Sequence, residues 1–364
     1  MLEISLVLTI SNSQERLPRL LDAIAGQSLS QTRMELIAVD DGSTNATQPI
    51  LESWKERLPL RIVRQNHAGR AAAKSVGVFM AHSPIIMFVG DSAAPGPNML
   101  GDHLSTHLEK HEMVWAVASR VAPSVDVRKV QDIYSFTLAG SYSSLACTGA
   151  LPGQEVDPLA LLGGMNSFKR AMLVRYGVFH PDFGEGYEDV ELGWRLHAKG
   201  LRVVLGPTAW SDTAQDVSFD QVCARCYVEG HMRYWLMRLH NTPKMRDFCE
   251  VEALIEAWSR QRRNYASHLR WTRKLGSLAA NRQAIDLPPH PVLQESLDKA
   301  YREAFFLARA KGFADAAATA PLKEAARSKQ ASVIECGLSP GEDARAGRID
   351  RLATIVDKAR GAIN

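Results

Sequence analysis

Two pairs of neighbouring carboxylates have the clearest capacity for chemistry in this chain. They are Asp40-Asp41, followed at once by Gly42-Ser43, and Glu188-Asp189, with Glu191 just beyond. Asp-Gly-Ser is good turn and helix-cap chemistry, in which side-chain oxygens take up backbone N–H groups. The same carboxylate, ending an apolar run, could instead accept a hydrogen bond from a ligand. Glu188 and Asp189 open a segment of helical pattern, Glu188–Ala198, where acids complement the positive end of the macrodipole. A carboxylate so placed could also take a proton as a general base. Asp91 stands between Gly90 and Ser92 after another apolar run, Gly69 permits close backbone approach, and Lys74 offers a point charge to an anion. Cys223 and Cys226 form a C-x-x-C with His231 and His240 downstream. With no second C-x-x-C and a helical setting, these cysteines read as thiols rather than zinc ligands.

These residues need a scaffold, and the first 120 residues supply an alternation of short apolar runs and helical segments. Strands are predicted at Ile4–Ile10, Met34–Val39, Leu60–Arg64, Ile85–Val89 and Met113–Ser119, with helices at Leu17–Ala25, Thr47–Arg57 and Gly69–Ala81. Apolar strands separated by single helices predict a mainly parallel sheet covered on both faces. In such sheets ligands bind beyond the carboxyl ends of the strands, where Asp41 and Asp91 fall. Asp126–Gly164 reads as a helix plus a loop over the site. Then come a strand at Asn166–Phe168, helices at Arg170–Tyr176 and Glu188–Ala198, a strand at Leu201–Leu205 and a long helix at Phe219–Leu239, apolar on one face and basic on the other. Pro243 marks a boundary, so residues 1–242 are expected to form one α/β domain and 243–364 a helical extension. That extension reads as helices near Glu250–Trp271, Pro291–Ala310 and Asp343–Ala362, with Ala314–Ala320 weak in core potential.

Composition bounds the answer. With 364 residues, 46% hydrophobic and 23% charged, the chain is an ordinary globular one, which excludes disordered and collagen-like architectures. A formal net charge of +3 gives no case for nucleic-acid binding. Five widely spread cysteines read as reduced thiols and a cytoplasmic location. No apolar stretch is long enough to span a bilayer. Between residues 225 and 282, Lys and Arg outnumber Asp and Glu by more than two to one. That stretch is either a solvated helical surface or a patch for an anionic acceptor or a membrane surface, so peripheral membrane contact is compatible with it.

Four segments, in order, resemble the bacterial inverting glycosyltransferases of family 2, which share the GT-A fold. They are SLVLTISN at 5–12 with LIAVDDGST at 36–44, QNHAGRAAAKSVG at 65–77, IMFVGDSAAPGPNML at 86–100, and GGMNSFKR, GVFHPDF and GYEDVELGWRLHAKGLRVV within 163–204. The resemblance covers residues 3 to 240. It implies a GT-A sheet with a helical C-terminal extension and a nucleoside-diphosphate sugar donor, with a UDP-sugar favoured. In its terms Asp41 accepts the N–H of the base, Thr9 and Asn12 border it, and Gly69 and Lys74 serve the phosphates. Asp189 becomes the base that deprotonates the acceptor, with Glu188 and Glu191 beside it. Gly164, Met165 and Asn166 form the turn under the donor sugar, and Asp182 lies near its hydroxyls. Trp194 is read as core.

The family's Asp-x-Asp for Mn²⁺ or Mg²⁺ is broken here to Gly90-Asp91-Ser92, and the histidine expected after the Leu201–Leu205 strand is replaced by WSDT. Asp91 and Asp212 remain as oxygen donors for a divalent cation. A metal-independent site, with Lys74, Arg70, Arg225 or His231 facing the leaving diphosphate, fits the sequence equally well. A non-catalytic descendant that binds a nucleotide or a partner is the competing reading. The acceptor and the oligomeric state are not readable from the sequence.

Overall fold

The computed structural model describes residues 2–91, 93–119, 121–122, 150–161, 165–207, 210–212, 218–285, 287–288 and 290–335. The apolar runs become strands β1 (Ile4–Ile10), β2 (Met34–Asp41), β3 (Leu60–Gln65) and β4 (Ile85–Gly90). Further along come β5 (Ala93–Pro95), β6 (Trp115–Ala118), β7 (Val121–Ala122), β8 (Glu155–Val156), β9 (Asn166–Lys169), β10 (Arg202–Leu205) and β11 (Trp210–Asp212). Eight strands form one sheet in the order β3-β2-β1-β4-β9-β6-β10-β8, and β5-β11-β7 form a small second one. β3, β2, β1 and β4 run parallel, as the alternation predicts, so their carboxyl ends lie along one edge. β9 and β8 are antiparallel insertions that the pattern of apolar runs did not distinguish. Successive residues of β1 serve opposite faces: Val7 packs with Ile37, Val39 and Phe88, whereas Leu6 and Leu8 pack with Leu36 and Met87. Both faces being buried explains why these strands read as continuous apolar runs.

Helices α1 (Leu17–Ala25), α2 (Thr47–Ser53), α3 (Arg70–Met80) and α4 (Met99–Glu109) cover this sheet. α3 lies close against it because Gly77 has no side chain: a Cβ there would sit 2.1 Å from a Val7 methyl carbon. α5 (Arg170–Tyr176) and α6 (Glu188–His197) complete this part. The tail is built from α7 (Phe219–Leu239), α8 (Pro243–Phe248), α9 (Val251–Gln261), α10 (Tyr265–Ala284) and α11 (Pro291–Glu335). The single helix expected over Glu250–Trp271 is thus two, and the helix expected to end at Ala310 continues to Glu335. The helices expected within 126–164 and at 343–362 lie outside the described residues.

Two expectations about the tail are corrected. α7 is not split into an apolar and a basic face. Its buried residues, from Met232 and Leu236 through Val222, Arg233 and Cys226 to Gly230 and Tyr234, spread over more than half of the helix and include an arginine, because tail helices pack against it as well. Ala316 and Ala320, in the Ala-rich stretch, are core residues beside Phe313. Small residues are what the packing demands, since α7 and α11 cross through reciprocal glycines. A Cβ on Gly230 would meet the Arg309 carbonyl oxygen at 1.9 Å, and one on Gly312 would meet the Tyr227 carbonyl oxygen at 1.9 Å. Cys223 and Cys226 are buried in the same packing, which pushes both thiols up to about 12, the opposite of what a zinc thiolate needs. Among the described residues no helix is long and apolar enough to cross a membrane.

Candidate active site

The parallel strand ends open onto a cavity of about 900 Å³. Its floor is contributed by Thr9, Arg16, Asp41, Gly69, Arg70 and Asp91. Asp182, Gly184 and Glu185 from the segment ahead of α6, and Tyr227, His231 and Trp235 of α7, also line it.

Asp41, at the end of β2, organises the loop after β3. Its Oδ1 accepts from the Ala68 N–H at 2.8 Å and from Gln65 Nε2 at 2.7 Å, and its Oδ2 accepts from the Gly69 N–H at 2.9 Å. His67 Nδ1 lies 2.9 Å from the same Oδ2. Gly69 holds φ +87°, and a Cβ there would be 2.8 Å from Gly184 Cα, so glycine is required twice over. The Arg70 N–H donates to the Gly184 carbonyl at 2.8 Å, which fastens the loop to the segment ahead of α6. The Asp-Gly-Ser turn is internally satisfied. Ser43 N–H donates to Asp40 Oδ1 at 3.0 Å, Asn12 N–H donates to Ser43 Oγ at 2.9 Å, and Thr44 N–H donates to Asn12 Oδ1 at 2.9 Å. Asn12 adopts φ +51° to make this bracket.

α6 begins at Tyr187, itself left-handed at φ +62°, and presents Glu188 and Asp189 in its first turn. Lys74 of α3 reaches both: its Nζ donates to Glu188 Oε1 at 2.8 Å and to Asp189 Oδ1 at 2.6 Å. Lys74 is buried, and its Nζ stands 5.1 Å from the centre of the Phe179 ring. The ammonium expected at the phosphates is therefore engaged with the two acids and is not among the lining residues. At the cavity surface its place is taken by Arg70, whose Nη1 is 3.8 Å from Glu188 Oε1. Burial alone would discharge the lysine, but the two carboxylates outweigh it and raise its pKa. Glu188 is held below its ordinary range: burial works against this, and Lys74 and Arg70 overcome it. Asp189 goes the other way, up to about 6, because burial and the adjacent Glu188 charge outweigh Lys74. A buried carboxyl held near 6 is suited to accept a proton at neutral pH. Asp189 and Glu188 sit behind the lining contributed by Arg70 and Ala73 rather than in it.

Of the other candidate residues, Asp182 lines the cavity, 3.9 Å from His180. Glu191 is buried and turned away, accepting from Arg195 Nε at 2.9 Å and approached by His240 Nε2 at 3.3 Å; although burial opposes it, these bonds keep the carboxyl below its ordinary range. Met165 belongs to the core, and Asn166 Nδ2 donates to the Leu161 carbonyl at 2.6 Å. Gly164 lies outside the described residues. Arg225 is outside the lining and 3.8 Å from Glu229, whereas His231 is in it. Trp194 is half-buried against the tail core, with Lys244 over its ring.

Asp91 accepts from Arg16 Nη2 at 2.7 Å and from the Ser13 hydroxyl. Asp212 pairs through its backbone with Ala93, two residues beyond Asp91, and its side chain lies outside the described ones. Among the described residues no three His, Cys, Asp or Glu side chains come together as a metal site. Among the described residues, Asp91 is thus a single carboxylate held by a guanidinium.

Tyr227, Trp235 and Arg16 were not singled out by sequence reasoning. The spacing of Tyr227, His231 and Trp235 at i, i+4 and i+8 was the available signal, but helical aromatics at that spacing are as often core.

Residues 5–151 match the model of a family described as Glycosyl transferase family 2. The chain is 27% identical over 228 residues to a validoxylamine A glucosyltransferase of Streptomyces hygroscopicus subsp. limoneus, covering 57% of this chain and 50% of that protein. It is 34% identical over 116 residues to a dodecaprenyl-phosphate galacturonate synthase of Rhizobium johnstonii, covering 31% of this chain and 34% of that protein. The chain spans about half the length of the first curated relatives it matches. In fold it is similar to a mannosyltransferase of Pyrobaculum calidifontis solved with GDP-Man and Mn²⁺, at a TM-score of 0.54 and 18% identity over 85% of this chain and 86% of that one.

Proposed function

We propose that this chain is a family 2 glycosyl transferase that moves a sugar, with inversion, from a nucleoside-diphosphate sugar to an acceptor hydroxyl or amine. A UDP-sugar is the favoured donor. The observation that carries the reading is the convergence on one cavity of the Asp41-anchored loop, Arg16 and Arg70, with the acid pair of α6 directly behind Arg70 and Ala73. The donor lies across the strand ends, as ligands of parallel sheets do. Asp189 takes the acceptor proton as the acceptor atom bonds to the anomeric carbon. The bond from that carbon to the diphosphate oxygen breaks on the opposite face, and the diphosphate leaves with the electron pair. Arg16 and Arg70 are the guanidinium groups available to the departing charge. Lys74 holds Asp189 in place while burial keeps the carboxyl basic enough to work.

A second reading, a protein that binds a nucleotide without turnover, draws on one observation: Asp91 is engaged by Arg16 and Ser13. Calorimetric titration with UDP, GDP and dTDP, each with Mn²⁺ or Mg²⁺ and again with EDTA, tests nucleotide binding and its metal dependence. Release of nucleoside diphosphate from the matching sugar donor, with the anomeric configuration of the product read by proton NMR, tests transfer. A retained configuration sinks the inverting reading; nucleotide binding without any release favours the second one.

A further inference from the structure

Resting on the donor reading, we propose that the α7 side of the cavity is an acceptor subsite for a polyhydroxylated ring that is neutral or carries an amine, and that it discriminates against phosphate-bearing acceptors. Tyr227, His231 and Trp235 succeed one another at four-residue spacing and all line the cavity. Their polar ends are engaged within the protein. Tyr227 Oη donates to Asp315 Oδ2 at 3.0 Å, and Trp235 Nε1 donates to His231 Nε2 at 3.2 Å. Trp235 is left with ring surface to offer a ligand, and Tyr227 with the face not covered by Lys311, whose Nζ lies 4.9 Å from its ring centre. The C–H faces of sugar and cyclitol rings stack on such surface.

Asp182 and Glu185 line the same cavity. Glu185 is exposed and has no hydrogen bond or ion pair among the described residues. Carboxylates accept readily from ring hydroxyls and most strongly from an ammonium group. The guanidinium groups of the described lining are both turned to acids elsewhere: Arg16 to Asp91 at 2.7 Å and Arg70 towards Glu188 at 3.8 Å. The basic surplus of residues 225–282 does not serve the cavity either. Arg273 pairs with Asp220, Arg246 with Glu252 and Arg260 with Glu256. With the donor diphosphate on Arg16 and Arg70 neither guanidinium is left over, so among the described lining residues a phosphate on the acceptor would meet the carboxylates of Asp182 and Glu185 and no further arginine or lysine, and that repulsion is what excludes it.

The test uses the full chain with UDP present and three probes: myo-inositol, 2-deoxystreptamine and inositol 1-phosphate, each titrated by saturation-transfer difference NMR. The expected order is deoxystreptamine tighter than inositol, and inositol at least tenfold tighter than its phosphate. Trp235→Ala should weaken both unphosphorylated rings at least tenfold. The exposed substitution Glu185→Gln, which leaves the packing untouched, should bring deoxystreptamine down towards inositol without changing inositol. A phosphate that binds as well as inositol, or rings indifferent to both substitutions, overturns the proposal. UDP binding with no ring binding also overturns it and leaves the donor reading standing. Ring binding without UDP binding upholds the subsite and sinks the donor reading.

Discussion

Arg233 Nε donates to the phenolic oxygen of Tyr187 at 2.9 Å, and this bond joins the tail to the first turn of the helix that carries Glu188 and Asp189. Arg233 is completely buried, and burial, assisted by Arg309, pushes its guanidinium down to about 9. Its Nη1 also bonds Glu250 and the Cys249 carbonyl, the latter at 3.3 Å. Tyr187 and Glu250 are both held in left-handed backbone, so the arginine ties together two strained helix starts.

Removing only the hydroxyl tests that tie. Tyr187→Phe leaves a buried N–H donor without this partner, which costs about 1–3 kcal/mol. Urea denaturation should register that loss. If the tie also positions the acids, the acid limb of the turnover profile shifts while nucleotide affinity stays within a factor of three. An unchanged profile with lowered stability would leave Tyr187 a purely structural residue.

The proposed role of Asp189 as base carries a pH dependence. A base must be ionised to accept a proton, and its carboxyl is held at about 6, so turnover should rise with pH through about 6 and level off above it. Asp189→Asn should lower turnover by roughly 10²–10⁴-fold with nucleotide affinity nearly intact. Lys74→Met removes the cation shared by the two acids and should move the limb to higher pH. A limb unmoved by the lysine change would show that another group controls it.

Arg16 and Asp91 bear on metal dependence. Arg16→Ala frees the Asp91 carboxylate and removes a positive charge from the cavity. Calorimetry should then show weaker nucleotide binding in EDTA, with part of the affinity restored by Mn²⁺. Wild-type binding that EDTA already weakens tenfold would mean that a cation displaces Arg16 from Asp91 on binding.

Two histidines under the sheet make stability acid-sensitive. His103 and His107 are buried, which pushes them down to about 4 and about 3. Both share the Ser167 hydroxyl, and His103 Nε2 also bonds Ser119 at 2.7 Å. The unfolded chain protonates them near 6.5, well before the folded one. Stability is therefore full above about 6.5 and falls as pH drops from there towards 4, by up to about 1.4 kcal/mol per pH unit for each histidine. His107→Phe should flatten that slope in denaturation midpoints taken between pH 7 and 4.5.

Much of the donor side was legible because it depends on local pattern. The limits of β1, α1, α5 and α7 agree with the predicted spans, since each is closed by an abrupt change in polarity or a turn residue. Asp41 and Asp91 stand out in the sequence because each closes or succeeds a buried parallel strand, where a ligand site is expected. Features that escaped detection depend on pairings far apart in sequence. Lys74 and Asp189 are 115 residues apart, so nothing near Lys74 announces that its charge is taken. β8 is two residues long and carries no periodic signal of its own, and β9, expected as a strand at Asn166–Phe168, has its antiparallel direction set by β4 and β6 far away in sequence. The aromatic wall of α7 was ambiguous because a helix packed over much of its surface uses the same residue types for core and for cavity.

The glycine crossing of α7 and α11 bears on how such a cavity diverges. With backbone lying on backbone at Gly230 and Gly312, no side chain acts as a cushion between the two helices. A small change in the tail is therefore passed to the aromatic wall as a tilt of the whole helix instead of being absorbed by rotamers. Altered acceptor preference could then arise from substitutions in α11 that never touch a ligand, while the donor floor, built on a different layer, keeps its geometry.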